Sequence, residues 1–454
     1  MGFEGFVMTP GFVAVTMFIG LLAGLFLGHP LAFVLGGLAV IFGFFSQKYH
    51  SAFPSLMMNK FNAQMSNYTY VAILFFIFMA NFMGESGMAD GLFKSVQYLF
   101  GPVRGGIAVA VIVVSTLLAA CTGTTGASCV TMGVLALPVM KANHYSMKLS
   151  CGAIAGSSAL GILIPPSIML LVLAELSGCT VGQLFAGSIL PGILLAVMYI
   201  IYAVYQCWRH PWKGPALPLE ERRKVTKAQL TKMLIINLCP PLLLIGAVLG
   251  VLFAGLATPT EASATGAFCA LGLYIGYGRF TWKGLVKIME DTANTVSMVL
   301  IVMTGAGFFT AIFMGLGGGD VIQGMILGCG LGKWGTYAVM MLICFFLGMF
   351  LDWTAIVMIT LPIYLPIADQ MGMDRLWFVV SIAVMLQDSF CTPPFGYNLF
   401  YLKGIAPEGV TTEDIYLGTI PYWAIMELGL VLCCVFPGLV TWLPSIAVKL
   451  PNAQ

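Results

Sequence analysis

Long apolar runs separated by short polar breaks organise the chain. Residues 10–28 and 30–46 are two such runs, meeting at Gly28-His29-Pro30. Others cover 68–84, 105–121, 129–140, 185–207, 233–255, a run to about 277, 294–316, 321–332, 335–350 and the region between 415 and 447. Runs near 20 residues are long enough to cross a bilayer as helices. Two stretches, near 51–64 and 279–292, mix lysine with aromatic and apolar residues. That pattern predicts interfacial helices lying along the membrane surface.

Two apolar runs are broken by paired prolines. One reads Gly161-Ile162-Leu163-Ile164-Pro165-Pro166-Ser167, the other Ser389-Phe390-Cys391-Thr392-Pro393-Pro394-Phe395-Gly396. Each pair removes two backbone donors and pushes the residue before it toward extended geometry, so a helix stops there. Broken backbone at membrane depth is tolerated only where protein buries it or where it lines a site. The expectation is two hairpins, at about 150–176 and 377–403. Each repeat carries a second break opposite its proline pair, at 122–128 and at 348–354.

These landmarks repeat. Pro138 and Pro366 lie 228 residues apart (366 − 138), and so do Pro165 and Pro393 (393 − 165). The same shift carries 51–64 onto 279–292. The expected organisation is a first repeat over 1–207, a linker over 208–232 and a second repeat over 233–454. The linker holds Arg209, Lys213, Arg222, Arg223, Lys224, Lys227 and Lys232, which predicts a cytoplasmic loop. The turn before the first proline hairpin carries Lys141, His144 and Lys148, whereas its counterpart carries Asp369, Asp374 and Arg375. This difference predicts an inverted repeat, the pattern of many secondary transporters.

Composition excludes the main alternatives. The 454 residues are 59% hydrophobic and 8% charged, so the fold class is an all-α polytopic membrane protein. A net charge of +2 without a basic aromatic patch gives no reason to expect nucleic acid. The 12 cysteines form no CxxC, and Cys433-Cys434 reads as packing rather than a disulfide. No basic segment and small-residue cleavage site precede the first run, so no removable signal peptide is expected. The four histidines form no HExxH, and no nucleophile and base pattern suggests an enzyme. Gly328-Cys329-Gly330-Leu331-Gly332-Lys333 lacks the spacing and hydroxyl residue of a phosphate loop. Glycines there and at 315–319 are expected to serve close helix packing.

The breaks can do chemistry. Unwound backbone exposes carbonyl oxygens, which suit a hard cation such as Na⁺. One sodium site per repeat is expected, with no other cofactor. The first would use Thr122, Gly161, Ile164 and Pro166; the second Met349, Thr354, Asp388, Cys391 and Pro394. Helix N-termini after the breaks attract anions. Thr124, Thr125, Ser167, Asp352 and Asn398 are the expected substrate contacts. Asp352 also has the sequence setting of a helix cap. Glu261, after Thr258-Pro259-Thr260, is expected to complete a cap rather than to act on substrate.

At Leu160–Ser167, Ala257-Thr258-Pro259-Thr260-Glu261-Ala262, Gly348-Met349-Phe350-Leu351-Asp352 and Thr392-Pro393-Pro394-Phe395-Gly396-Tyr397-Asn398-Leu399-Phe400, the chain resembles a known family. It is similar over nearly its whole length to the large membrane (M, DctM-type) subunit of tripartite ATP-independent periplasmic (TRAP) transporters. The resemblance implies an elevator mechanism driven by sodium in the bacterial inner membrane. It also implies a small four-helix membrane subunit (Q, DctQ-type) and a periplasmic substrate-binding protein as partners. Substrates would be small organic anions, carboxylate or sulfonate. The first sodium set matches the family position by position, and the second matches less closely. With no Q-like helices before residue 10, the chain looks like an unfused M subunit. The alternative is a stand-alone sodium- or proton-coupled carboxylate carrier of related fold.

Overall fold

Threonine caps fix where several long helices begin. Thr180, Thr226, Thr258 and Thr411 each form a reciprocal capping box with the residue three positions on, Gln183, Gln229, Glu261 and Asp414. Each box satisfies two backbone donors that a helix start leaves open. Glu261 thus has the expected capping role: its N–H donates to Thr258 Oγ1 at 3.3 Å, and its Oε2 accepts from the Thr258 N–H at 2.8 Å.

The computed structural model describes residues 9–46 and 48–448; among them there are helices and no strands. The first half holds α1 (Pro10–Phe26), α2 (Leu31–Phe45), α3 (Phe53–Met65), α4 (Thr69–Glu85), α5 (Met88–Phe100), α6 (Gly106–Thr122), α7 (Thr125–Ala142), α8 (Met147–Ala159), α9 (Ile168–Ser177) and α10 (Val181–Arg209). The linker contains α11 (Leu219–Arg223). The second half holds α12 (Lys227–Phe253), α13 (Pro259–Gly276), α14 (Trp282–Gly315), α15 (Gly318–Gly328) and α16 (Gly332–Gly348). It continues with α17 (Trp353–Gln370), α18 (Arg375–Met385), α19 (Tyr397–Ile405), α20 (Thr412–Val435) and α21 (Gly438–Ala447). Five of the described helices are long and apolar enough to cross a membrane, six if the bent pair α3–α4 counts as one.

The shift of 228 reappears in the helices. Thr125–Ala142 falls on Trp353–Gln370 at both ends, and Leu31 and Met147 fall on Pro259 and Arg375, the starts of α13 and α18. Pro165-Pro166 and Pro393-Pro394 are both cis. Packing is reciprocal too: α4 lies against α13, and their counterparts α14 and α2 lie against each other.

The repeats differ at one joint. In the first, α3 and α4 meet at a bend of 53°. In the second, the matching sequence is the unbroken α14, so the interfacial helix expected at 279–292 is the beginning of a longer one. Asn67 explains the bend. Its Oδ1 accepts the Thr69 N–H at 2.9 Å, which offers the backbone an alternative to helix. The matching residue, Thr295, donates its hydroxyl back to the Asp291 carbonyl at 2.8 Å and stays helical. The linker is also shorter than 208–232, because the Thr226 cap starts α12 at Lys227.

The long α10 separates two ends of the molecule by about 43 Å at 1.5 Å per residue. At its start, the Arg375 guanidinium donates to the Ser177 carbonyl at 3.4 Å. At its far end, the Ser146 N–H donates to the Lys213 carbonyl at 2.9 Å. Therefore α8, which follows Ser146, begins at one end of the molecule, and α9 finishes at the other. The two do not pack side by side. The segment 150–176 is a discontinuous crossing helix, not the expected hairpin, and 377–403 in the second repeat has the same form.

The hairpins are instead the pairs preceding each proline break. The start of α6 is tied to the residues after α7, where the Ile107 N–H donates to Tyr145 Oη at 3.2 Å. Lys333 at the start of α16 donates to the carbonyl of Gly372, just past α17, at 2.8 Å. Thus α6–α7 opens at the Lys213 end and α16–α17 at the Arg375 end. The repeats are inverted with respect to α10.

Glycine allows the closest helix contact. A β-carbon on Gly152 would sit 2.0 Å from the Gly418 carbonyl oxygen, and one on Gly418 would sit 2.1 Å from that of Lys148. The sequence does not single out these two. Of the glycines it does, 315, 318 and 319 abut Tyr49, Phe313 and Met314. Gly328, Gly330 and Gly332 face open space, and the last two take positive φ in a turn.

Candidate functional site

Four half-helices begin at the two hairpin tips and the two proline breaks. Their first residues are Thr125, Ile168, Trp353 and Tyr397, and all four line one cavity of about 760 Å³. Each start presents backbone N–H groups with no partner inside the helix, and the helix dipole adds partial positive charge. Two starts carry a side-chain cap: the Leu170 N–H donates to Ser167 Oγ, and the Thr354 N–H donates to Asp352 Oδ2 at 3.1 Å. At α7 and α19 no side chain caps the helix.

Of the expected substrate contacts, Thr124, Thr125 and Asp352 line the cavity. Asp352 caps α17, as its sequence setting suggests, and also lines the cavity. Ser167 and Asn398 do not reach it. Both are fully buried: Ser167 Oγ donates to the Ile162 carbonyl, and Asn398 Nδ2 donates to the Ala155 carbonyl at 3.0 Å. The choice of Asn398 is one position off, because Tyr397, the first residue of α19, is the one that faces inward. Tyr401, one turn on, lines the cavity with it, as do Trp353 and Phe390. The helical spacing of Tyr397 and Tyr401 was the signal available for them. Asn81 on α4 and Thr295 on α14 close the opposite wall. Nothing in the sequence links those two to the tips. Among the described residues, no lysine, arginine or histidine lines the cavity.

The first hairpin tip packs directly on the first proline break. Thr122 Oγ1 lies 3.1 Å from the Thr124 carbonyl and 3.1 Å from Ser128 Oγ. A β-carbon on Gly161 would be 3.1 Å from the same Thr124 carbonyl, and one on Gly123 would be 2.9 Å from the Pro166 carbonyl. Thr122, Gly161 and Pro166 therefore converge on a knot of oxygen atoms. The side chain of Ile164 leaves it and packs on Gly192 of α10. A hydroxyl and several carbonyls in buried backbone are the donor set of a hard monovalent cation.

In the second repeat the same shift puts Phe350, Ser389, Thr392 and Pro394 at the places of Thr122, Gly161, Ile164 and Pro166. Met349, Asp388 and Cys391 each precede such a position by one. The structure brings Gly348 against Ser389, with 3.2 Å from a β-carbon on the glycine to Ser389 Cβ. Met349 caps the end of α16, and Thr354 is held by Asp352. Cys391 Sγ donates to the Ala155 carbonyl at 3.6 Å, away from the tip. Asp388 is buried, and neither of its carboxylate oxygens has a hydrogen-bond partner. Among the described residues, no group of three His, Cys, Asp or Glu gathers as a metal site.

The chain is similar to known proteins in sequence and in fold. The sequence model of the tripartite ATP-independent periplasmic transporter DctM component matches residues 18–439. The C4-dicarboxylate TRAP transporter large permease protein DctM of Vibrio cholerae is 29% identical over 95% of this chain and 97% of its own length. The sialic acid TRAP transporter large permease protein SiaM of the same organism is 26% identical over 94% of this chain and 97% of its own. Among solved structures, the Alcanivorax borkumensis YdaH transporter, described as having an unusual topology, superposes with a TM-score of 0.58. It shares 15% identity, covering 95% of this chain and 98% of that one.

Proposed function

Because the chain belongs to the DctM component of the tripartite ATP-independent periplasmic transporters, we propose that it carries a small organic anion across the bacterial inner membrane, coupled to sodium. The chain is a multi-pass large permease subunit, not an enzyme. The convergence of four half-helix N-termini on one cavity carries the proposal. Among the described residues that cavity has no basic side chain, so backbone amides and helix dipoles hold the negative head. Each helix start contributes about 0.3–1 kcal/mol, and more where water is excluded. The apolar and aromatic walls hold the body of the solute.

Sodium binds at the two tips. The first site uses Thr122, Gly161 and Pro166 with the Thr124 carbonyl, and Ile164 contributes through its backbone. The second occupies the repeat-related place, where Met349, Thr354 and Pro394 join Ser389 and Thr392. Filling both sites locks each tip to its proline break and completes the four helix starts around the substrate, so ion and solute bind together.

The two hairpins are re-entrant, one from each side. Basic residues at the Lys213 end support a cytoplasmic position for that end. The cavity lies between the tips on one side and α2, α4 and α14 on the other. This boundary supports an elevator, in which the tip-bearing body slides along those helices. A periplasmic binding protein delivers the anion, and a small Q-type subunit extends the scaffold.

The test is uptake into proteoliposomes holding this chain and a Q-type partner, with a binding protein and its labelled ligand outside. Uptake requiring both an inward Na⁺ gradient and the binding protein supports the proposal. Uptake with Na⁺ but without the binding protein would make the chain a stand-alone carrier. Uptake indifferent to Na⁺ would sink both sodium sites.

A further inference from the structure

Three phenylalanines meet at the second tip. Phe26, the last residue of α1, sets its ring edge-on to Phe350 with centroids 5.7 Å apart, and tilts toward Phe395 at 6.3 Å. Both separations lie in the range where aromatic rings attract. Phe350 sits in the tip between α16 and α17, and Phe395 directly follows Pro393-Pro394. One ring from a distant helix therefore meets both sides of the seam between the second tip and the second proline break.

That seam differs from its counterpart in the first repeat. Pro165 and Pro166 are buried, whereas Pro393 and Pro394 are exposed. The shift of 228 pairs Phe350 with Thr122 (350 − 228), Phe395 with Ser167 (395 − 228) and Phe26 with Ala254 (26 + 228). None of these counterparts carries a ring, so the first seam cannot form the same contact. It closes through backbone instead, with Gly123 against the Pro166 carbonyl.

Phe26 belongs neither to the substrate wall nor to the core. None of the three rings lines the 760 Å³ cavity. Phe26 is 64% exposed, so its truncation opens no core cavity. Its helix, α1, packs on α2, one of the helices along which the tip-bearing body is proposed to slide. The contact thus crosses the boundary between the two bodies.

We propose that Phe26 is a clasp. By meeting Phe350 and Phe395 together, it holds the second tip shut on its proline break in this arrangement, and it lets go when the body moves. Phe26 is a positioning residue, acting on the second sodium site through the tip. The link to sodium and to movement rests on the function proposed above; the closing of the seam does not.

Thiol labelling of the purified full chain in detergent, without Na⁺, tests the closing. The reporter is Ser389→Cys, because Ser389 is 2% exposed and its Cβ lies at the seam, across from Gly348. Peptide mass spectrometry follows each cysteine separately. Adding Phe26→Ala is expected to speed labelling at position 389 about threefold to tenfold, and Phe26→Tyr, which keeps the ring, to leave it slow. Cys121, beside Thr122 at the first tip and 1% exposed, is expected to label at an unchanged rate. Unchanged labelling at position 389 in Phe26→Ala would overturn the clasp. Equal acceleration at Cys121 would overturn it too, because the whole chain would then have loosened. The sodium link is read separately, from ²²Na⁺ binding to chains that keep Ser389. There Phe26→Ala is expected to need several-fold more Na⁺ for half-saturation, with Phe26→Tyr near wild type. Absence of Na⁺ binding in wild type would sink the sodium sites, while faster labelling at position 389 in Phe26→Ala would still uphold the clasp.

Discussion

A β-carbon on Gly123 would sit 2.9 Å from the carbonyl oxygen of Pro166. The glycine also holds φ at +59°, a region that costs other residues about 1–2 kcal/mol. Gly123→Ala must therefore move the first tip off the proline break. Na⁺-dependent uptake is expected to fall about tenfold or more, since 1.4 kcal/mol is a factor of ten. Uptake at matched membrane expression measures it.

Thr122 offers a side-chain oxygen at the centre of the first tip, 3.1 Å from both the Thr124 carbonyl and Ser128 Oγ. Thr122→Ala removes it, and Thr122→Ser keeps it. A hydrogen-bonding group of this kind contributes about 0.5–1.5 kcal/mol. The alanine variant should need several-fold more Na⁺ for half-maximal uptake, and the serine variant should stay near wild type. Equal shifts in both would show that the hydroxyl is not a ligand.

Asp352 does two things that substitution can separate. Asp352→Ala loses the cap on α17, worth about 1 kcal/mol, together with the charge at the cavity wall. Asp352→Asn keeps a capping oxygen and loses only the charge. Melting in detergent should fall for the alanine variant and hold for the asparagine variant. If uptake is lost equally in both, the charge is the functional element; if Asn transports normally, the cap is.

The contact of α8 with α20 leaves no room for a methyl group at Gly152. Gly152→Ala is expected to destabilise the chain by about 1–3 kcal/mol through overpacking. A lowered melting temperature without Na⁺ or substrate would show it. The Lys148–Glu413 pair, 3.6 Å long on the same two helices, is exposed. Its removal should cost about 1 kcal/mol or less. Reversal of this order would mean that charge rather than packing holds the two helices together.

Much of the architecture was legible before any coordinates. The apolar runs located the helices, and the spacing of Pro138, Pro165, Pro366 and Pro393 disclosed the repeat. Thr124, Thr125 and Asp352 were recognisable because small polar residues in an apolar break have few other reasons to be there. Ser167 and Asn398 looked equally suitable, but both point into the core, where Ser167 Oγ donates to the Ile162 carbonyl and Asn398 Nδ2 to the Ala155 carbonyl. A sequence lists donors and acceptors without showing which are already used.

What the sequence by itself determined is where several helices begin and where two of them break, because caps, missing N–H groups and ring geometry act within a few residues. It did not determine which break makes a hairpin. Pro240-Pro241 lies within the unbroken α12, so a proline pair alone does not stop a helix, and where Pro165-Pro166 and Pro393-Pro394 do, the chain goes on rather than turning back. Only the tertiary structure decided that α6–α7 and α16–α17 turn back. That choice depends on contacts between residues far apart, such as Ile107 with Tyr145 and Ser177 with Arg375. Local chemistry is written in neighbouring residues, whereas the direction of a side chain in a packed interior is set by helices that the sequence order does not place together.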